Sequence, residues 1–441
     1  MRRWSKFLHF GLFLLLFLTI SFYLYRFRPI TDDELYNYGY VHNIMSGLVP
    51  YLDFNMIVCP LFFYLVIPFF CLLGDKLIVY HFILFFLITF IFYEGFRKIG
   101  YQMVVVLGLI LFYPYAGYNV FCLFLLFLMI FYQDREWMKK FRPLFIIMMF
   151  LTKQTLGLMI IPSFIETKRR KKLVLIYLVS ILFLVLYLVS FNSFFSFVNY
   201  CFLGMFDFTS KNGTFISPLM VAEFMIMGLL FLFYLRSLDI HFLYLFFFQI
   251  IVFPIVDYLH FCIGIAPVVY YFLLYFKNKK FVSHHIFTFS FAVTLTLHFV
   301  LFSVIDYSLF SWYSVHNFMD GRLAANSTYS LIQAIDRKDF FEKRVFVLGN
   351  FSYLVKLNLD IPIDCYDNIN QGNMGYRGEE VYIDNIRKTC QERDCIFLFN
   401  NSESYDKNKS QTSKKILNYI KNNYQLVYSS VEMNMYRNYK K

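Results

Sequence analysis

The stretch FLHFGLFLLLFLTISFYLY occupies residues 7–25 and is followed at residues 31–34 by TDDE. An apolar run of this length spans the hydrocarbon core of a bilayer as a helix. Basic residues precede it, and no small-residue cleavage site lies before Arg26, so we interpret it as a retained first transmembrane helix with a cytoplasmic N-terminus. Three consecutive carboxylates just beyond such a helix are costly to hold near hydrocarbon, so they either face water or take part in chemistry.

The composition is that of a multi-pass membrane protein, because 59% of the 441 residues are hydrophobic, 22% are aromatic and only 16% are charged. The net charge is +12, and most of the excess lies in residues 1–303, where basic residues collect in short loops between apolar runs. This distribution follows the positive-inside rule and does not indicate nucleic-acid binding. The basic loops lie at residues 97–98, 135–142, 168–172, 236 and 277–280.

The apolar runs predict two domains. Residues 1–303 are expected to form a multi-pass α-helical membrane domain of about 11–13 hydrophobic helices, some of them partial, with a first external loop at residues 26–56. Residues 304–441 are more polar and alternate short strands with helices, which predicts a small α/β domain. Counting the passes places this second domain outside the cytoplasm.

Two helical hairpins are predicted where an apolar stretch begins and ends beside basic loops. They cover residues 101–132 and 143–165, with turns at residues 114–119 and 152–155. The arms of the second hairpin are about ten residues long, or ~15 Å of helix against ~30 Å of hydrocarbon. We therefore expect them to dip into the membrane rather than cross it, with surrounding protein satisfying the broken backbone.

Two other segments of the membrane domain are irregular. Residues 57–73 and 77–93 look like two passes, although the charge distribution requires an odd number, so one of them is predicted to be partial. Residues 33–48 carry apolar side chains at helical spacing and predict an amphipathic helix on the outer leaflet. Residues 191–215 are predicted to be external.

The C-terminal domain is predicted from short alternating and helical patterns. Its three cysteines, Cys365, Cys390 and Cys395, could form one disulfide or remain reduced, and the sequence leaves both open. No Gly-rich phosphate loop and no metal-ligand spacing of cysteines occurs in the chain. The predicted strands are at residues 344–348, 361–364, 395–399 and 425–428, and the predicted helices are at residues 379–390 and 413–422.

Polar residues from distant parts of the chain are predicted to meet at the outer membrane face. A helical bundle can gather such residues into one cavity, and ionisable residues in apolar sequence are functional candidates. A carboxylate there can accept a proton from an attacking hydroxyl, and a fixed ammonium can neutralise a departing phosphate. The candidate set comprises Asp32, Asp33, Glu34, Asp53, Asn119, Lys153, Gln154, Asp257 and His260.

Each candidate also has a purely structural interpretation. A side chain near a helix start often caps it, a lysine near a membrane boundary often extends to water, and turn residues often have no ligand. These alternatives are a capping box of Thr31 and Glu34, an ordinary turn at residues 50–54, a snorkelling Lys153, a helix-spaced pair of Asp257 and His260, and Asn119 as a turn residue.

Four motifs in the chain occur in a recognisable order. They are Asp33-Glu34, then Gly47…Pro50-Tyr51-Leu52-Asp53-Phe54…Pro60, then FLTKQTLG at residues 150–157, and finally Pro254…Asp257-Tyr258…His260…Pro267. Together they resemble the GT-C superfamily of polyprenyl-phosphate-sugar-dependent membrane glycosyltransferases, the group that includes protein mannosyltransferases and aminoarabinose transferases. The resemblance covers residues 7–303. The chain departs from it in the second external loop, where many members carry an acidic residue and this sequence has Asn119.

The resemblance implies a GT-C-like fold and an inverting sugar transfer that uses no nucleotide sugar. Asp33 would be the base that activates an acceptor hydroxyl, which then displaces polyprenyl phosphate from the anomeric carbon. Lys153, helped by His260 or Gln154, would stabilise the departing phosphate. The implied partners are a polyprenyl-phosphate sugar, membrane lipid, and a glycan, lipid or protein acceptor.

No soluble cofactor is implied, although Asp32, Glu34 and Asp53 exceed what a single base requires and could bind a divalent cation. Two other functional classes compete with the enzyme. A polysaccharide or lipid-linked sugar transporter should show paired inverted repeats, and the sequence shows none. A non-enzymatic scaffold would use the membrane domain to anchor a binding module in the tail.

Overall fold

The computed structural model describes residues 2–27, 32–111, 117–166, 170–204, 218–253, 258–278, 344–348, 374–392, 394–400, 414–429 and 433–438. Within these ranges, four apolar helical stretches are long enough to cross a membrane, and shorter apolar helices lie between them. The predicted class of multi-pass α-helical membrane protein is confirmed. The four stretches are Leu77–Ile110, Arg170–Ser190, Pro218–Ser237 and Tyr258–Lys277.

The membrane domain is built around α6, most of whose side chains are buried and which packs against α2, α3, α4, α7 and α13. A 3₁₀-helix, Gln154–Met159, joins α7 to α8, and a π-helical segment, Asn199–Leu203, follows α10. The helices are α1 (Arg2–Phe27), α2 (Asp32–Met45), α3 (Leu61–Leu73), α4 (Leu77–Ile99), α5 (Met103–Ile110), α6 (Gly117–Phe131), α7 (Glu136–Phe150), α8 (Ile160–Glu166), α9 (Arg170–Ser190), α10 (Phe194–Val198), α11 (Pro218–Ser237), α12 (Ile240–Phe248) and α13 (Tyr258–Asn278).

The chain bends sharply between α4 and α5. In a continuous helix two residues eight positions apart are separated by about 12 Å, yet a Cβ placed on Gly95 would lie 2.4 Å from Met103 Sδ. The bend falls at Gly100, whose φ of +72° lies in a region that glycine adopts without a steric penalty. The boundary predicted at the basic residues 97–98 is therefore a real break between helices.

The partial segment between residues 57 and 93 is the first one. α3 (Leu61–Leu73) has 13 residues, or about 20 Å of helix, which is shorter than the ~30 Å hydrocarbon core. α4 has 23 residues and is the long member of the pair.

The helix predicted at residues 33–48 is present as α2. Its buried residues are not confined to one apolar face, as they would be in a helix lying on the outer leaflet. Residues 36–41 are all buried, and Asn43 is buried as well. At its C-terminal end His42 contacts the Asp75 carboxylate in the loop before α4. Burial therefore extends around the helix, and His42 is one of its polar residues with a partner within the protein.

The hairpin predicted at residues 143–165 is confirmed by a contact between its two ends. Arg142 Nη1 in α7 contacts Glu166 Oε1 at the end of α8. Tyr244 of α12 donates a hydrogen bond of 2.9 Å to the other oxygen of Glu166. The turn falls at residues 151–153, close to its predicted position, although α7 already begins at Glu136.

Part of the segment at residues 191–215, which was predicted to be external, is helical. α10 and the π-helical segment bury Phe197, Tyr200 and Cys201. Their composition is strongly apolar, so the chain gains more by packing these side chains than by leaving them in water. The end of the predicted membrane domain and the domain boundary near residue 304 lie outside the described residues.

The tail is a small α/β domain, as predicted. A four-stranded sheet has the order β1-β2-β4-β3, with β1 and β2 parallel and the other neighbours antiparallel. Strand β4 was not predicted, and the strand predicted at residues 361–364 lies outside the described ranges. The elements are β1 (Arg344–Leu348), α14 (Gly378–Glu392), β2 (Cys395–Asn400), α15 (Lys414–Asn423), β3 (Gln425–Ser429) and β4 (Met433–Arg437).

A disulfide joins Cys390 at the end of α14 to Cys395 at the start of β2. Of the two alternatives that the sequence left open, the structure contains the bonded one. The tail also contacts the membrane domain, because the backbone N–H of Tyr376 donates a 2.9 Å hydrogen bond to Asn199 Oδ1.

Candidate active site

The first turn of α2 places Glu34 in the protein interior. Its side chain is fully buried and contacts Nε2 of His81 in α4, which is buried as well. The His81 ring stacks on Phe85, one turn along the same helix, with centroids 5.6 Å apart. The interpretation of Glu34 as a solvated residue is therefore wrong, and its predicted capping contact with Thr31 lies outside the described residues. The side chains of Asp32 and Asp33 lie outside the described residues, although their backbone belongs to this same turn.

Lys153 is buried between α7 and the 3₁₀-helix, where the backbone is extended (φ −138°, ψ 108°). Its ammonium donates to the carbonyl oxygen of Ile251 at 2.6 Å and to Asn119 Oδ1 at 3.3 Å. The Tyr118 ring lies 5.8 Å from the ammonium, within cation–π range. The snorkelling alternative is thus wrong, because the charge is held inside the bundle by protein acceptors.

Asn119 lies in the first turn of α6, not in the turn before it, and is fully buried. Its Oδ1 accepts from the Lys153 ammonium, whereas its Nδ2 has no hydrogen-bond partner in the described part of the chain. The same holds for the hydroxyls of Thr152 and Thr155 on either side of the lysine. Buried polar groups are rarely left unpaired, so these three groups need an explanation.

Gln154 connects three distant segments. Its Nε2 donates to the carbonyl oxygens of Ile57, at 2.9 Å, and Cys201, at 2.8 Å. The side chain therefore ties the loop before α3 to the π-helical segment. These two bonds use both amide hydrogens of Gln154. Gln154 therefore holds the backbone beside Lys153 in place.

The run at residues 50–54 is a tight turn. Asp53 Oδ2 accepts a 2.6 Å hydrogen bond from the backbone N–H of Val49, and the Asp53 N–H returns one to the Val49 carbonyl. Tyr51 adopts a φ of +67° and donates to the Val58 carbonyl at 2.6 Å. The structural interpretation of this run is confirmed, and Asp53 stabilises it.

His260 is half-buried in the first turn of α13. That helix follows Ile251, whose carbonyl binds Lys153, after a short connection that includes Asp257 and lies outside the described residues. The predicted pair of Asp257 and His260 therefore stays untested. In the parts of the chain that are described, no three His, Cys, Asp or Glu side chains converge as a metal site would require.

His81 was not predicted as a site residue. Its position in the apolar first half of α4 was the available signal, because ionisable residues in a membrane helix are functional candidates by default. Its neighbour Tyr80 lies close to the first residue of α6, since a Cβ on Gly117 would be 2.0 Å from Tyr80 Oη. Consecutive residues of α4 thus contact the acidic turn of α2 and the helix that carries Asn119.

No protein-family model and no curated protein sequence matches this chain. Its structure is similar to the crystal structure of ArnT from Cupriavidus metallidurans bound to undecaprenyl phosphate, with a TM-score of 0.53. The similarity covers 98% of each chain at 11% sequence identity. The chain has the ArnT fold. Because the match extends over nearly the whole chain, the shared fold includes the tail that the sequence motifs did not cover.

Proposed function

We propose that this protein is a membrane glycosyltransferase that moves a sugar from a polyprenyl-phosphate donor, with inversion, to a glycan, lipid or protein acceptor at the outer membrane face. The observation that carries the proposal is the buried Lys153 ammonium beside unpaired donors. The crystal structure of ArnT was determined with undecaprenyl phosphate bound, which supports a lipid phosphate as the ligand class for a protein of this fold.

The chemistry of the Lys153 region suits a phosphate. Burying an ammonium costs several kcal/mol unless it is paired, and Lys153 donates to the oxygens of Asn119 and Ile251 inside the bundle. A phosphate would add an opposite charge, and its oxygens could accept from Asn119 Nδ2 and from the hydroxyls of Thr152 and Thr155. Charge-assisted hydrogen bonds of this kind are about twice as strong as neutral ones.

The proposed reaction is a single displacement. Asp33 accepts the proton of the acceptor hydroxyl, whose oxygen forms a bond to the anomeric carbon of the donor sugar. The bond from that carbon to the phosphate oxygen breaks, and the leaving polyprenyl phosphate carries the electron pair. Lys153, together with His260, stabilises the charge that develops on this phosphate. No soluble cofactor takes part.

Asp33→Asn tests the base assignment. Sugar transfer from undecaprenyl-phosphate hexose and aminopentose donors is measured in membranes, with lipid and glycan products separated by chromatography. We expect a loss of at least ~100-fold, since general-base catalysis contributes about 10²–10⁴. The matched control is Asp384→Asn, an exposed aspartate in the tail that pairs with Arg387 and should retain full activity.

Full activity of Asp33→Asn would refute the assigned base. If the wild-type protein transfers no sugar from any of these donors, the proposed function itself fails. The divalent cation is tested in the same assay by adding EDTA, because activity that disappears on chelation and returns with Mg²⁺ or Mn²⁺ would establish it.

A further inference from the structure

Two adjacent residues of α4 contact opposite parts of the proposed site. His81 contacts the Glu34 carboxylate in the first turn of α2. Tyr80 packs against the start of α6 at Gly117, where a Cβ would meet its hydroxyl at 2.0 Å and the Phe62 ring at 2.6 Å. α4 therefore lies between the turn that carries the proposed base and the helix whose Asn119 binds Lys153.

The contact with His81 is strong enough to hold that turn. Both side chains are essentially excluded from solvent, so if either group loses the other, no water can replace the lost partner. The stacking of His81 on Phe85 restricts the orientation of the imidazole. Glu34 is adjacent in sequence to Asp33, so fixing the Glu34 side chain fixes the backbone from which the base projects.

The connection to the phosphate side is equally short. Gly117 lies two residues before Asn119 in the same helical turn, and Asn119 Oδ1 binds the Lys153 ammonium. Any side chain on residue 117 would force Tyr80 and α6 apart. The α4 surface at residues 80–81 thus determines the separation between the α2 turn and the Lys153 region.

We propose that His81 is a positioning residue for the transfer reaction, which holds Glu34 so that Asp33 is kept at the correct distance from the phosphate bound at Lys153. This inference rests on the proposed function. His81 itself need not touch the substrate, and its effect is on the geometry of proton removal. A misplacement of about 1 Å can cost on the order of 10² in rate, whereas binding of the lipid phosphate should be independent of it.

The experiment compares His81→Phe with His81→Gln. Phenylalanine keeps a ring to stack on Phe85 but cannot hydrogen-bond to Glu34, whereas the glutamine amide nitrogen can donate to it. For each variant, kcat and KM are measured with the donor that the wild-type protein uses, and Kd is measured for undecaprenyl phosphate alone. A Lys153→Met variant provides the opposite pattern, with loss of undecaprenyl phosphate affinity.

We expect His81→Phe to lower kcat about 10- to 100-fold while leaving the Kd for undecaprenyl phosphate within about twofold of wild type. His81→Gln should recover most of kcat. A purely structural role would move Kd and kcat together and would not distinguish phenylalanine from glutamine. Wild-type kcat in His81→Phe, or a parallel loss of affinity, would overturn the inference.

If His81→Phe does not accumulate as folded protein, His81→Asn replaces it, because the shorter amide keeps the polarity but does not reach Glu34. Equal kcat values for the asparagine and glutamine variants would then overturn the inference. Failure of the proposed function is distinguishable, because it appears as an absence of transfer in the wild-type protein.

Discussion

Lys153→Met removes one charge from the interior and nearly preserves the side-chain length. In the structure the ammonium donates to the Ile251 carbonyl at 2.6 Å and to Asn119 Oδ1 at 3.3 Å. Methionine leaves both acceptors without this donor but also removes the cost of burying a charge. The variant therefore separates the contribution of Lys153 to phosphate binding from its contribution to folding.

The two stability effects nearly cancel. Each buried acceptor left unpaired costs about 1–3 kcal/mol, and the desolvation of a buried ammonium that methionine avoids is also several kcal/mol. The free energy of unfolding should thus change by no more than about 2 kcal/mol. A hydrogen bond from an ammonium to a phosphate contributes about 1.5–3 kcal/mol, so the affinity for undecaprenyl phosphate should fall about 10- to 100-fold.

The assay measures the Kd of detergent-purified protein for undecaprenyl phosphate, by native mass spectrometry or by the shift in thermal unfolding with ligand concentration. Undecaprenol, which lacks the phosphate, shows how much binding the isoprenoid chain contributes. The matched control is Lys139→Met, because Lys139 is half-exposed and pairs only with Glu136 one turn away in the contacts described. Its Kd should equal that of the wild type.

A Lys153→Met protein that binds undecaprenyl phosphate as tightly as the wild type would refute the assignment of Lys153 as the phosphate partner. A variant that loses affinity for undecaprenol to the same extent would also refute it, because the defect would then lie in the isoprenoid site or in the fold.

Three further predictions concern stability. Glu223 is fully buried in α11, and neither carboxylate oxygen has a partner in the described part of the chain. Glu223→Met should remove a cost of about 1–3 kcal/mol and so raise the thermal unfolding midpoint. A lower midpoint would contradict this. Reducing the Cys390–Cys395 disulfide should destabilise the tail by about 2 kcal/mol, because the short loop it closes restricts the entropy of the unfolded chain. Hydrogen exchange in the tail strands should then accelerate. Burial raises the pKa of Asp239, but hydrogen bonds from His241 and Tyr271 outweigh burial and lower the pKa to about 2. Asp239→Asn should therefore destabilise the protein above pH 4. The difference in unfolding midpoint between variant and wild type should vanish as the pH falls towards 2.

Much of the fold could be predicted from local sequence. Apolar runs and basic loops identified the helices of the membrane domain, and the break at residues 97–98 falls at the Gly100 bend. Strand β1 was also predicted from local sequence, and its predicted and observed bounds are identical. These features depend on residues that are close together in the chain, where periodicity, charge and glycine content are sufficient evidence.

The errors share a physical cause. α2 was predicted to lie on the outer leaflet because its apolar side chains follow helical spacing. Its residues 36–41 are instead all buried, because other helices pack around α2 and contact its polar groups, as His81 contacts Glu34. Strand β4 was missed because it is short and half polar, and its pairing with β2 and β3 supplies the stability.

The amino-acid sequence alone determined that this chain is a multi-pass membrane protein with a mixed α/β tail, and it identified Glu34, Asn119 and Lys153 as unusual residues in apolar surroundings. Only the tertiary structure decided that Lys153 binds Asn119 and Ile251 and that Glu34 meets His81. Such contacts join residues far apart in the chain, and they depend on how whole helices pack. Helix packing is set by the summed fit of many side chains, which no single motif contains.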